Sequence, residues 1–274
     1  MYEAFYGLKE KPFLIQPDPE FLFMGKRHSL AYAMLEHGIM NRAGFCVISG
    51  EIGCGKTTLI RHLLNNLGPE IVVGLVYNTH KETEDLLKWV MLAFGQPYEG
   101  FSRVELYDNF QNFLIGKYAR GQRVVLIIDE AQNLTPETLE FLRMLSNINA
   151  DKDQLLQMIL VGQPQLKDLL QRQDLRQFAQ RVSVDFFIRP LIGAEVEMYI
   201  QHRLSVAGRD APLFSPEACE RIAKASNGIP RSINILCDMA MVYGFSTEAE
   251  QIGLDIVEDV LSDRQEFGLL SKEE

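Results

Sequence analysis

Cysteine, histidine and tryptophan are scarce in this 274-residue chain, and basic residues are outnumbered. It has four Cys, five His and one Trp, and 27 Lys and Arg stand against 37 Asp and Glu. A net charge of −10 gives no broad basic field of the kind that draws nucleic acid, which argues against DNA as the partner. It does not exclude DNA, because an oligomer can gather a basic stripe. The cysteines (Cys46, Cys54, Cys219 and Cys237) form no C-x-x-C pair, so neither a zinc ribbon nor a disulfide scaffold is supported. His37, His62, His80 and His202 lack metal-ligand spacing. No apolar run approaches the roughly 18–20 residues that cross a bilayer. The first residues, MYEAFYGLKEKPF, lack the basic-then-apolar pattern of an export leader. A cytoplasmic protein with free thiols is the expectation. Its acidity is concentrated: residues 235–274 carry ten Asp and Glu against two Lys and Arg. A solvated helix face is the plain reading of that end.

Short, nearly continuous aliphatic runs are present instead. FCVIS (45–49), IVVGLVY (71–77), RVVLII (123–128), LLQMILV (155–161) and SVDFFI (183–188) read as five strands covered on both faces. Helical stretches separate them. Ser102 and Glu105 form a capping box before a helix whose Leu106, Phe110, Phe113, Leu114 and Tyr118 make one face, expected to be buried. Thr79 and Glu82 repeat the pattern, and Thr135-Pro136 opens another helix. Strands alternating with helices predict an α/β fold with a five-stranded parallel sheet. After Pro190 the chain turns helical, with segments predicted at 193–207, 216–226, 230–245 and 254–264. Residues 1–190 are therefore expected to form an α/β core, and 191–274 a helical lid.

Chemistry enters at GEIGCGKTT, residues 50–58, directly after the first strand. Gly50-x-x-x-x-Gly55-Lys56-Thr57 matches the phosphate-binding loop at every defined position. Such a loop points successive backbone amides inward at phosphate oxygens, in conformations that glycine tolerates best. Gly50, Glu51, Ile52, Gly53, Cys54, Gly55, Lys56, Thr57 and Thr58 are the nucleotide-binding candidates. The helix after the loop adds its positive end, Lys56 a charge for the β- and γ-phosphates, and the Thr57 hydroxyl a magnesium ligand. RVVLIIDEAQ ends in Asp129, a second magnesium ligand, and Glu130, placed to polarise the water that attacks the γ-phosphate. Three further polar positions extend the set. Gln163 follows the fourth strand, where it can sense the γ-phosphate. Arg181 precedes the last strand and can serve a neighbouring subunit's site, with Arg176 as the competing choice. Arg231, in Gly228-Ile-Pro-Arg-Ser, opens a lid helix. ATP and Mg2+ are the expected ligand and cofactor.

YEAFYGLKEKPF, PDPEFLF, GEIGCGKTTLIRHLL, LIIDEAQNL, LRMLSN, LVGQP and GIPRSINILCDMA together resemble the ExeA/GspA-like AAA+ ATPases. In spacing and wording they are similar to the exosortase-associated type, encoded with exopolysaccharide and PEP-CTERM sorting systems. The resemblance runs from residue 1 to about 265. It implies a nucleotide-binding core, a helical lid, Mg-ATP hydrolysis and assembly into a homo-oligomeric ring or filament. By it, Lys56 and Thr57 bind nucleotide, Asp129 and Glu130 hydrolyse it, Gln163 and Arg231 are sensors and Arg181 is the trans arginine. PFLIQPDPEF would border the adenine. Secretion ATPases of the ExeA type continue into a transmembrane helix and a periplasmic domain, whereas this sequence stops after the lid. Three functions stay open: an ATPase serving an envelope polymer or secretion system, a DNA-associated regulator of the transposition-targeting kind, and a slow nucleotide-gated switch.

Overall fold

The computed structural model describes residues 1–77, 86–150 and 153–267. Its strands are β1 (Phe45–Gly50), β2 (Ile71–Val76), β3 (Arg123–Ile128), β4 (Asn149–Ala150), β5 (Asp153–Gln154), β6 (Leu156–Gly162) and β7 (Val182–Ile188). The helices are α1 (Lys26–Met40), α2 (Lys56–Asn66), α3 (Leu86–Ala93), α4 (Arg103–Ala119), α5 (Pro136–Leu145), α6 (Pro164–Leu170), α7 (Arg176–Ala179), α8 (Ala194–Val206), α9 (Pro216–Ser226), α10 (Pro230–Ser246) and α11 (Leu254–Phe267). Contacts divide the chain into two compact units. One holds Ser29–Gly50 and Leu63–Ile188; the other holds Met1–His28, Glu51–His62 and Arg189 onward. The sequence predicts a single change of character near 190. The units also exchange chain after His28, Gly50 and His62, so the phosphate-loop segment groups with the helical unit.

The sheet of the first unit has the order β2-β3-β6-β1-β7, and every neighbouring pair is parallel. All five predicted strands are present. Every residue of β1 and β6 is buried, as expected of inner strands covered on both faces. The edge strands are less covered: β2 mixes buried and half-buried positions, and β7 has exposed ones as well. Phe45, Val47, Leu126, Leu156 and Leu160 from the sheet pack in one cluster with Val90, Phe110 and Leu142 from α3, α4 and α5. A short antiparallel hairpin, β4-β5, joins α5 to β6; no apolar run announces it.

Local signals account for the helix ends. The Ser102 hydroxyl accepts from the Glu105 amide while the Glu105 carboxylate accepts from the Ser102 amide, closing the capping box of α4. Thr135 caps α5 and Ser215 caps α9, each with proline next. The pattern at Thr79 to Glu82 lies outside the described residues. One expectation fails on α4. Leu106, Phe110 and Leu114 are buried and Phe113 partly so, but Tyr118 is exposed, its hydroxyl donating to Asp153 at 2.7 Å. A phenol at the last turn can turn its polar end to a carboxylate and stay in water.

In the second unit α8 to α11 pack together, and the N-terminal segment completes their core. Tyr2, Tyr6, Phe13 and Phe21 are buried with Ile200, Ile222, Ile233, Met241 and Val257. Polar straps hold that segment. Arg203 Nε donates to the Pro12 carbonyl, Arg209 to that of Tyr6 at 2.8 Å, and Asn234 to that of Leu14 at 3.0 Å. The buried Arg203 guanidinium also lies 4.8 Å from the Phe21 ring centroid. Leu14 and Ile15, from the stretch expected to border adenine, are exposed.

Helix α9 stops at Asn227 (φ 51°) and Gly228 (φ 68°), both left-handed. Gly228 accepts the Leu191 amide at 2.9 Å, so close that a Cβ would stand 1.9 Å from the Leu191 carbonyl oxygen. Gly228→Ala therefore meets both an unfavourable φ and a backbone clash, and should destabilise the chain by about 2 kcal/mol or more. Thermal or urea denaturation checks this; parental stability would mean that the α9–α10 turn relaxes freely.

Candidate functional site

All five strands point the same way, so the turns after β1, β3 and β6 leave from one edge of the sheet. Such C-terminal edges are where open α/β sheets place their ligand groups. Gly50 closes β1 there. A Cβ on it would stand 2.6 Å from the Ile188 carbonyl oxygen of the neighbouring strand.

In the helical unit, the loop after Gly50 is already shaped. Gly53 (φ 83°) and Gly55 (φ 86°) take left-handed conformations, and α2 begins at Lys56. The Gly53 carbonyl accepts the Arg231 amide at 3.2 Å, and a Cβ on Gly53 would lie 2.6 Å from that of Arg231. The turn that opens α10 thus abuts the loop backbone, while the Arg231 side chain is exposed. Lys56 is buried and its Nζ donates to the Glu51 carbonyl at 2.9 Å. Thr57 and Thr58 are half-buried; Glu51 and Ile52 are exposed. Cys54 is buried, and burial pushes its thiol up to about 11, far from the thiolate that redox chemistry needs.

His28, which no spacing rule picks out, belongs to this same unit. It is 4% exposed, its Nε2 donates to the Cys54 carbonyl at 2.9 Å, and its Nδ1 is buried with no hydrogen-bond partner among the described residues. The carbonyl partner fixes the tautomer, because an oxygen acceptor requires Nε2–H.

In the sheet unit, the turn after β3 holds the carboxylates. Asp129 is buried, and its Oδ1 accepts the Glu130 amide at 2.9 Å. Glu130 takes a left-handed conformation (φ 54°, ψ 37°), which costs a side-chain-bearing residue about 1–2 kcal/mol. Strain of this kind gathers at functional turns. Gln163, at the start of α6, donates from Nε2 to Glu130 Oε2 at 3.0 Å, so two predicted site residues from different strands meet. Gln132 touches both and was missed: it sits in the quoted DEAQ run, but nothing in the spacing tells a bridging glutamine from a turn residue.

Arg181 is not with them. It donates to Ser146 Oγ at 3.0 Å and Asn147 Oδ1 at 2.6 Å, holding the chain just past α5. It thus has a role within its own chain, whereas Arg176 is exposed at the start of α7. Among the described residues no group of three or more His, Cys, Asp or Glu side chains could hold a metal. No described helix is long and apolar enough to cross a membrane.

A family profile for the AAA domain matches residues 39–170. General secretion pathway protein A of Aeromonas hydrophila is 40% identical over 253 residues, 92% of this chain and 46% of that protein. The chain therefore spans about half the length of that relative. The ORC2 protein of Aeropyrum pernix, solved in ADPNP–ADP complexes, has a TM-score of 0.67 at 17% identity, covering 90% of this chain and 72% of that one. The RuvB Holliday junction branch migration motor of Thermotoga maritima has a TM-score of 0.58 at 20% identity, covering 95% and 76%. At such identities the likeness is one of fold.

Burial holds the His28 imidazole below the ordinary histidine range, with the Cys54 carbonyl and the charge of Glu195 opposing it. A lowered folded-state value means that stability is full above the unfolded value, about 6.5, and is lost as pH falls from there through the folded value. Between about pH 7.5 and pH 5 the parent should lose more stability than His28→Gln, whose amide donates without titrating. Melting curves at the two pH values measure this; equal losses would remove the His28 contribution.

Proposed function

The chain belongs to the AAA ATPases, and from that premise we propose that it binds Mg-ATP and hydrolyses it to drive or regulate an envelope secretion or exopolysaccharide assembly. The observation that carries the reading is the complete Gly50–Thr57 loop, set between an inner strand and a helix with Gly53 and Gly55 at positive φ. The envelope role rests on the 40% identity to general secretion pathway protein A.

The roles divide by chemistry. The loop amides and the start of α2 attract the phosphates, and the Lys56 ammonium exchanges the Glu51 carbonyl for a phosphate oxygen. Asp129 and Thr57 would hold magnesium, which supplies charge neutralisation at the phosphates when bound. Glu130 orients and deprotonates the attacking water, and Gln163, beside it, reads the γ-phosphate. Arg176 or Arg181 completes the site of a second copy in a homo-oligomer. The net charge of −10 sets this reading ahead of a DNA-tracking one.

Lys56→Ala should abolish ATP binding, whereas Glu130→Gln should keep binding and lose turnover by about 100-fold or more. Nucleotide titration and phosphate release distinguish the two. Equal loss of binding in both variants would overturn the division of roles.

Arg231 stands in the first turn of α10, where the helix end is already positive and disfavours a cation by roughly 0.3–1 kcal/mol. An anion offsets that cost, and the γ-phosphate is the anion that distinguishes ATP from ADP. Arg231→Ala should bind ADP nearly as well as the parent, bind ATP less tightly and lose ATP-dependent self-association. Titrations with both nucleotides and sedimentation check this; matched losses for ATP and ADP would reduce Arg231 to a support of the turn.

A further inference from the structure

Glu130, Gln132 and Gln163 form a closed ring of side-chain and backbone hydrogen bonds. Gln132 lies two residues beyond Glu130, in the single turn of 3-10 helix at Ala131–Asn133. Its Nε2 donates to Glu130 Oε2 at 2.6 Å, and its Oε1 accepts the backbone amide of Gln163 at 3.0 Å. The ring closes through Gln163 Nε2, which donates to the same Glu130 Oε2 at 3.0 Å. Both ends of the Gln132 amide are therefore committed. The reverse orientation would set an oxygen against the carboxylate and an N–H against an N–H, so the partners themselves assign it. The fit is close: a Cβ on Gly162 would stand 2.9 Å from Gln132 Oε1.

We propose that Gln132 is a positioning residue, which ties the water-activating carboxylate of Glu130 to the γ-phosphate sensor Gln163 so that the two are set as one unit. Only an amide does this. A carboxylate could accept from the Gln163 backbone but would repel Glu130, and an apolar side chain could do neither. Glu130 sits in a left-handed turn, where its backbone alone does not fix the carboxylate, and Gln163 arrives from a different strand. Gln132 supplies a second link between them, through the Gln163 backbone rather than its side chain. When the Gln163 side chain leaves Glu130 to meet the γ-phosphate, its backbone amide remains on Gln132, which still holds Glu130. Sensing is thereby coupled to the aim of the base. The inference rests on the reading of Glu130 given under Proposed function.

The test uses the purified chain with Gln132→Ala, Gln132→Glu and Glu130→Gln. Gln132→Ala should lower kcat by about tenfold or more, because a small misplacement of a positioned base is costly, and leave the KM for ATP within about twofold. Gln132→Glu is nearly isosteric and keeps the acceptor for the Gln163 amide, so it separates aiming Glu130 from merely supporting the turn. Its kcat should fall at neutral pH and recover in part as pH is lowered, when the introduced carboxyl takes a proton and donates to Glu130 again. A parental kcat and pH profile in Gln132→Glu would overturn the proposal, as would parallel loss of ATP binding and kcat in Gln132→Ala. If Glu130→Gln itself kept full turnover, the reading of Glu130 would fall first. If Glu130→Gln were inactive while both Gln132 variants matched the parent, the coupling alone would be lost.

Discussion

Five parallel strands cannot be joined by tight hairpins. Each must be followed by a crossover, and each delivers the turn after its last residue to the same edge of the sheet. That constraint gathers Gly50, Asp129 and Gln163, which lie on three different strand ends between 34 and 113 residues apart along the chain, at one edge. Burial enforces the arrangement. The inner strands β1 and β6 are buried throughout and mostly apolar, and a one-residue slip would move every side chain to the other face. Polar groups at the ends of these strands are held by the packing of residues that never touch them.

Neither the phosphate loop of the one unit nor the carboxylate turn of the other relies on its own backbone alone. The phosphate loop is supported from outside: the Arg231 amide on the Gly53 carbonyl, and His28 on that of Cys54. Both contacts use backbone oxygens of the loop and take none of its N–H groups. The carboxylate turn is supported by glutamines, whose amides present a donor and an acceptor together. Under the proposed roles the two kinds of support answer two needs, since an anion cradle must keep its N–H groups available and a base must keep its aim.

The N-terminal residues enter the helical unit through aromatic burial, with Arg203, Arg209 and Asn234 satisfying the backbone carbonyls of the strap. The strap also accepts a bond from Arg61 of α2, through the Pro17 carbonyl at 2.8 Å. Residues before α1, after the loop and beyond Arg189 are thus mechanically linked within one unit.

Much of this protein was decided by sequence alone. The aliphatic runs specify the strands because a twice-covered parallel strand needs apolar side chains on both faces, and the caps at Ser102, Thr135 and Ser215 specify helix starts because they act within one turn. The glycines, lysine and threonine of the loop are legible for the same local reason: they shape one short stretch of backbone. What remained hidden depended on partners distant in sequence. Tyr118 breaks from its predicted face because a hairpin 35 residues away brings Asp153 within reach. Arg181 is engaged by Ser146 and Asn147, His28 by Cys54, and Gln132 by Gln163. A side chain's donors and acceptors are fixed by its type, but which of them are used is decided only when the tertiary fold brings a partner within about 3 Å.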